Sequence, residues 1–596
     1  MRIRLPSLVL GSSIVVYLAA CGSDSSGPPS QNGVCTGATF TVPVSQGQVI
    51  SESDLPCLSI PADGGTYLVV PQFATATAAV NPVDFILGAS TVGTALTSVV
   101  SASRHALPKM SGATADLGQT QRAFEGMLRK RERAVAAAAR TSGAAAGPNA
   151  SVIHTEAAPP VLGSSQPFHV LSDFATGNTY TTDTATLKYI GTHLLIYVSK
   201  NAPGPADGVH GFTDAQITAF GHTFDLDLYT IDVATFGSPS DIDANGRVIV
   251  LLSPIINKLT DASTCTTQGY IAGFFNAVDL LPTQYVGKSN GGEIFYSLVP
   301  DASATFSCAH TADAVEQLTP STFIHEFQHM ISFGQHSIIH GGNDEDSWLN
   351  EGLSHIAEEL GSRYYENRFP PPTGRTDADQ AFPDSAQGFI TGDLFNSFHY
   401  LLSTASDDGT DKASVSNWGS GDGTLVQRGA AWLFLRWLGD QQDSLVYGRL
   451  DQTNLTGVPN VESAAGASFA TLFGEFSLAL YTDSLPGVSR SSIPSALRFT
   501  SRNLRALYGK QHQRNPGTFT QTFPISALAL TPGSARTESM YPGTMDFFIL
   551  AAPSTGADLG ISFQPSGSSS AFSSTLGAQV SVFHCPSAGA CPLSVP

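Results

Sequence analysis

The stretch Thr319–Gly334, TPSTFIHEFQHMISFG, decides how this chain is read. It carries His325, Glu326, Phe327, Gln328 and His329, an HExxH pattern. On a helix, side chains four residues apart lie over one another on one face, so His325 and His329 can offer two imidazole nitrogens to one ion. Zinc accepts neutral imidazole at about 2.0–2.1 Å and, in catalytic sites, keeps one tetrahedral position for water. Glu326 lies between the two histidines in sequence, placed to take a proton from that water. The helix is readable without the motif. Thr319 is a candidate N-cap, Pro320 suits the first helical position, and Gly334 suits a left-handed stop. Ile324, Phe327 and Ile331 follow helical spacing and would face a core. A buried amphipathic helix that happens to carry two histidines fits the same residues, so a third ligand is needed.

Trp348-Leu349-Asn350-Glu351-Gly352-Leu353-Ser354 supplies one. It opens a second helix whose apolar positions are Leu349, Leu353, Ile356, Ala357 and Leu360. Glu351 follows His329 by 22 residues. Two antiparallel helices joined by a polar loop, His336 to Asp346, would bring Glu351 to the open side of the ion. His, His, Glu and water is a catalytic zinc pattern. HEFQHMISF followed by WLNEGLSHIAEE resembles the gluzincin metallopeptidases, most closely the hyicolysin-type family, over about residues 165–485. The resemblance implies a zinc-dependent peptidase with a two-lobed zincin core. His325, His329 and Glu351 would hold one catalytic Zn2+, and Glu326 would be the general base.

The resemblance also sets expectations for the rest of the site. Thermolysin-like enzymes place a His or Tyr in the second lobe to donate to the oxyanion, and His399 and Tyr400 in FNSFHYLL are the nearest candidates. Tyr364, Tyr365 and Arg428 stand behind them. His355 sits one turn after Glu351, where thermolysin-type enzymes carry an acidic residue. Glu358 and Glu359 are the alternative partners for a ligating histidine, which usually donates its other N–H to a carboxylate or carbonyl. His336 and His340 fall after the expected helix end and read as loop histidines. Asp344 and Asp346 read as solvated or as caps of the second helix. The sequence has no Gly-x-Met-Glu-Asn run, which favours an endopeptidase over an aminopeptidase.

The chain has 596 residues, too many for one core. Its net charge is −20, from 29 Lys plus Arg against 49 Asp plus Glu, and a field of that sign argues against nucleic acid. Arg2 and Arg4, then the short apolar run Leu8–Leu18, read as a targeting segment. Leu18-Ala19-Ala20-Cys21 resembles the lipobox of bacterial lipoproteins, which implies cleavage before Cys21 and a lipid on its sulfur. Gly22 favours outer-membrane sorting in a host with two membranes. Residues 23–33 form a Ser/Gly/Pro tether. Removing Cys21 from seven cysteines leaves six, an even number suited to an oxidising compartment. Neighbour pairing gives Cys35–Cys57, Cys265–Cys308 and Cys585–Cys591. The expected partners are a peptide or protein substrate and a membrane reached through Cys21, with the chain acting as a monomer.

The expected fold class is multidomain α+β, with the core flanked by β-sandwich-like domains. After the signal (1–20) and tether (21–33) come a small β domain (34–101) and a helical, Ala-rich linker (102–164). The linker's basic run at Arg129–Arg133 is either a solvated helix or a processing site. A catalytic lobe (165–361) follows, in which Glu293–Tyr296 could form the sheet edge that pairs with an extended substrate. Asp241-Ile-Asp243-Ala-Asn245-Gly246 matches the first half of a calcium loop. Leu252 at its twelfth position excludes an EF-hand, leaving a capped turn or a non-EF Ca2+ site. A helical lobe (362–485) carries RGAAWLFLRWL from Arg428 and a long helix over Val461–Tyr481. A C-terminal β-sandwich-like domain (493–596) closes the chain. The competing class is a non-catalytic surface lipoprotein that uses the zincin core as a scaffold.

Overall fold

Strands from the two ends of the chain pair with one another. The computed structural model describes residues 35–76, 81–91, 98–100, 118–141, 160–205, 210–281, 288–368, 387–404, 414–418, 423–443, 445–567 and 571–593. The signal, Cys21 and the tether lie outside them. Near the N-terminus run β1 (Gly47–Ser51), β2 (Thr66–Phe73), β3 (Val83–Thr91) and β4 (Ser98–Val100). A middle group comprises β5 (Ser165–Leu171), β6 (Tyr180–Ile190), β7 (Leu194–Ser199), β8 (Val248–Leu252), β9 (Gly273–Phe275) and β10 (Ile294–Ser297). The last group is β11 (Leu528–Leu530), β12 (Ser534–Met540), β13 (Phe548–Ala551), β14 (Leu559–Pro565) and β15 (Ala578–Cys585).

The outer groups interleave as β1-β15-β2-β13-β11 in one sheet and β14-β3-β12-β4 in the other. Antiparallel pairing sets Val69 opposite Val582 and Leu87 opposite Phe563. Phe73, Phe85, Phe563 and Phe572 meet between the sheets with ring centroids 4.7 to 6.5 Å apart. The two flanking domains expected from the sequence are therefore one shared sandwich. Short strands that read as separate modules lacked enough partners near them in sequence. The three neighbour disulfides are present, with Cα–Cα separations of 4.7, 5.8 and 6.2 Å.

The middle sheet runs β5-β6-β7-β8-β10-β9. β8 lies parallel to both β7 and β10, and its apolar run VIVLL is buried throughout. β9 pairs antiparallel with β10 and forms the edge. Glu293–Tyr296 thus leads into an interior strand, and the edge expected there belongs to Gly273–Phe275.

Six helices carry the argument: α1 (Gln119–Thr141), α2 (Ala312–Phe333), α3 (Ser347–Arg368), α4 (Gln387–Ser403), α5 (Leu425–Gln441) and α6 (Phe469–Thr482). α2 starts earlier than expected, capped by Thr311, whose Oγ1 accepts the Ala314 N–H at 3.2 Å. Pro320 therefore sits inside the helix, where it cannot donate to the carbonyl four residues back. Gly334 keeps a right-handed conformation, and a π turn, Gly334–Ile339, extends the helix through His336, which is fully buried. The expected helix over Val461–Tyr481 is two pieces, because Gly466 takes the left-handed conformation at φ 68° and caps the first. α6 lies on the sandwich, where Ser581 Oγ donates to the Gly474 carbonyl at 3.0 Å. Among the described residues no helix is long and apolar enough to cross a membrane.

Expressing residues 102–596 removes β1–β4 and strips β14 and β15 of their neighbours. The expected outcome is an aggregating chain without a cooperative thermal transition. A soluble product with unchanged near-UV circular dichroism would contradict the shared sheets.

Candidate metal centre

α2 and α3 pack side by side and bring three side chains together. His325 Nε2 lies 3.2 Å from His329 Nε2 and 3.6 Å from Glu351 Oε2. His329 Nε2 lies 3.7 Å from Glu351 Oε1. Ligand atoms at about 2.0–2.1 Å from one centre, at tetrahedral angles, stand about 3.3 Å apart. These separations are close to that size, and two imidazole nitrogens beside a carboxylate are donors that zinc accepts. The structure brings together the three residues that the sequence singled out.

Each histidine is held from behind. His325 Nδ1 is 2.6 Å from Glu358 Oε1, and His329 Nδ1 is 3.0 Å from Asn350 Oδ1. Both contacts call for N–H on Nδ1, which in the neutral ring leaves Nε2 as the lone-pair nitrogen. Burial opposes charge on His325, but Glu351 and Glu358 raise it well above its ordinary value, so an ion at Nε2 would have to displace a proton there. Burial pushes His329 well below its ordinary value, with Arg129 acting in the same sense, so this imidazole is neutral, as a ligand must be. Burial opposes the charge on Glu351, but Arg428 foremost, with His325 acting in the same sense, holds the carboxyl well below its usual range. Arg428 Nη1 donates to Glu351 Oε2 at 2.7 Å. Gly352 lies where α3 and α5 pack closely: a Cβ there would stand 2.7 Å from a Leu435 methyl carbon and 3.2 Å from the Ala431 Cβ.

Glu326 is buried beside the pair. Its Oε2 accepts the Phe275 N–H of the edge strand at 2.8 Å, so Oε1 remains to take up a proton. Burial pushes the carboxyl up to about 8 against the pull of His325 and Arg129.

The remaining candidates separate. Glu358 is the carboxylate behind His325, and it also lies 3.0 Å from His355 Nδ1. Asp393 of α4 approaches the same nitrogen at 2.9 Å. Burial disfavours a charged His355, but Glu358 and Asp393 prevail and raise it to about 9. Glu359 turns the other way, onto Arg502 and Arg363. The Tyr400 hydroxyl meets the Met545 thioether in the interior, and His399 packs on Phe395 with ring centroids 4.4 Å apart. Tyr364 and Tyr365 donate to Asp227. Of the five residues offered for the oxyanion role, only Arg428 contacts the centre. Asp344 accepts Ser337 Oγ, so it serves the turn after α2.

One participant was not anticipated. α1, expected as a solvated linker or a cleavage site, is packed over the centre. Gln121 bonds the edge strand through both ends of its amide. It accepts the Ala272 N–H and donates to the Gly273 carbonyl, each at 2.9 Å. Glu132 Oε1 accepts the Ala277 N–H at 2.8 Å. Arg129, only 6 % exposed, reaches Glu326 Oε2 at 3.6 Å, and Glu125 Oε2 meets Arg428 Nη2 at 2.7 Å. Arg129 is thus unavailable to a processing enzyme in this state. The spacing 121, 124, 125, 128, 129, 132 marks one helix face, a signal hidden by reading composition alone.

Two histidines, a glutamate and an adjacent buried carboxylate form a group that could hold a metal ion. The chain is 29 % identical over 177 residues to the neutral metalloprotease ShpI of Staphylococcus hyicus. That match covers 30 % of this chain and 36 % of the relative. It supports a distant metallopeptidase kinship and, with it, a metal cofactor. No family model matches the sequence.

Glu358→Gln keeps the shape behind His325 and removes the charge. Zinc affinity, measured by competition with a chromophoric chelator, is expected to fall about 10–100-fold. Unchanged affinity would show that Glu358 serves only His355.

Proposed function

We propose that the chain is an exported zinc metalloendopeptidase whose described state is latent. The observation that carries the reading is the triangle of His325, His329 and Glu351 with Glu326 beside it. A gluzincin-type, two-lobed core is the fold reading consistent with α2 and α3 supplying the ligands and α4–α6 building the far side. Export, with lipid on Cys21, rests on the N-terminal sequence.

His325, His329 and Glu351 would hold the zinc ion, which when bound polarises a peptide carbonyl and makes hydroxide available near neutral pH. The chain's own groups do the rest. An extended peptide adds along the edge strand Gly273–Phe275, whose backbone groups now bond Gln121. Glu326 Oε1 accepts the proton of the attacking water as the new C–O bond forms. It then delivers that proton to the amide nitrogen as the C–N bond breaks. The Phe275 N–H keeps the carboxylate aimed during both transfers. His399 and Tyr400 are not retained as oxyanion donors. His355, charged and 5.1 Å from His325 between ring centroids, replaces them.

α1 occupies the place a substrate would take. Gln121 uses the strand's donor and acceptor, and Arg129 neutralises the base. Activity then requires α1 to leave.

Glu326→Gln should retain one zinc per chain and lose casein cleavage by a factor of about 10^3 or more. Chelator-resistant cleavage, or cleavage that survives the substitution, would sink the peptidase reading. Glu125→Ala with Arg129→Ala removes two charged contacts worth about 3 kcal/mol together. Cleavage should rise, by up to about 100-fold, at unchanged zinc content. A rate no higher than that of the unaltered chain, in a folded double variant, would refute latency.

A further inference from the structure

A second cluster of oxygen ligands lies outside this centre. The turn Asp241–Arg247 leads into β8. Asp241 Oδ1 accepts the Gly246 N–H at 3.0 Å, and Gly246 adopts φ 65°, a conformation that favours glycine. The sequence offers the first, third and fifth ligand positions of a calcium loop, but Leu252 in the twelfth. The fold supplies the missing carboxylate from another segment. Glu293 immediately precedes β10, the parallel neighbour of β8, and its carbonyl accepts the Ile249 N–H at 2.7 Å. One carboxylate oxygen from each of Asp241, Asp243 and Glu293 lies within 4.8 Å of the other two.

Glu293 points to a ligand independently of the turn. It is only 1 % exposed. Its Oε1 accepts Ser240 Oγ at 2.7 Å and the Ile242 N–H at 3.0 Å, but Oε2 has no hydrogen-bond partner. A buried carboxylate oxygen without a donor is costly unless a cation or a proton meets it. Arg247 does not supply the charge to Glu293, because its guanidinium bonds the carbonyls of Gly191 and Asn245.

We propose that Asp241, Asp243 and Glu293 form a calcium site, with Glu293 doing from a neighbouring strand what the twelfth-position glutamate does in an EF-hand. The donors are all oxygens, which suits Ca2+ and not zinc. Asn245 and the Arg247 carbonyl, fifth and seventh in the loop, are the next donors in its order. The ion would tie the turn before β8 to the start of β10. It would also steady the foot of the metal-site helix, because Gln335 Nε2 donates to the Ser238 carbonyl at 2.6 Å beside Ser240. Its effect is on stability, and it does not depend on whether the chain is a peptidase.

The test uses the full chain, stripped with a calcium-selective chelator and resupplied with zinc. Calcium binding is measured by calorimetry and thermal midpoint, and zinc by elemental analysis in parallel. One calcium per chain and a midpoint that rises with calcium are expected. Asp241→Asn, at an exposed position that leaves the core intact, should weaken binding by about tenfold or more. Glu293→Gln should abolish the calcium-dependent rise. Absence of saturable binding by the folded, zinc-loaded chain overturns the site, as does binding that Asp241→Asn leaves unchanged. If Glu293→Gln does not fold, Asp241→Asn decides alone.

Discussion

Burying two imidazoles and two carboxylates in one spot is unfavourable unless each charge meets another. That constraint orders the structure around α2. Glu351 is held by Arg428, Arg428 by Glu125, and Glu326 by Arg129. Each link crosses from one element to another: α3 to α5, α5 to α1, α1 to α2. Such pairs add little net stability against apolar packing, yet breaking one leaves a stranded charge and costs about 3–5 kcal/mol. The network therefore fixes which helices lie together more than how firmly they do so. A metal ion in the triangle would change the account, because its charge would take over the work of Arg428 on Glu351.

The sheet gives the Glu326 carboxylate its direction. β9 is three residues long and lies at the edge, so its outer backbone groups are free of a neighbouring strand. Phe275 turns one N–H onto Glu326, while Ala272 and Gly273 offer a donor and an acceptor further along. The same strand thus aims the base and presents the rail on which a peptide would lie. The long sandwich formed from both chain ends supports this arrangement from behind through α6, which rests on β15.

What could be read in the sequence was local. His325 and His329 share a helix turn, and Glu351 belongs to a helix whose apolar spacing is plain, so the convergence of these three candidates was legible. Glu358 was also within reach, since 351, 355 and 358 mark one face of α3. The three disulfides joined near neighbours, and locality found them. The interleaved sandwich was not legible, because β2 and β15 are separated by nearly the whole chain and no short-range pattern encodes their pairing. The packing of His399 and Tyr400 was hidden for a related reason. Their neighbourhood is aromatic and helical, which gave them plausible chemistry, but the face they occupy is set by packing against Phe395 and Met545.

α1 shows where composition misleads. A run of Arg, Lys and Glu next to alanines has the makeup of a solvated helix, and solvated charge runs are the ordinary case. Its charges are nevertheless arranged by side. Phe124 and Leu128 are fully buried, and Glu125, Arg129 and Glu132 share their face, whereas Lys130 and Ala134 are exposed. A helix that buries acid and base together with its apolar stripe must find complementary charges wherever it docks. The chain offers that complement at the metal centre, where Glu326 takes the arginine and Arg428 takes the glutamate. A surface helix would have had no reason to order these residues by face, so the pattern itself argues that α1 was shaped to fit the cleft.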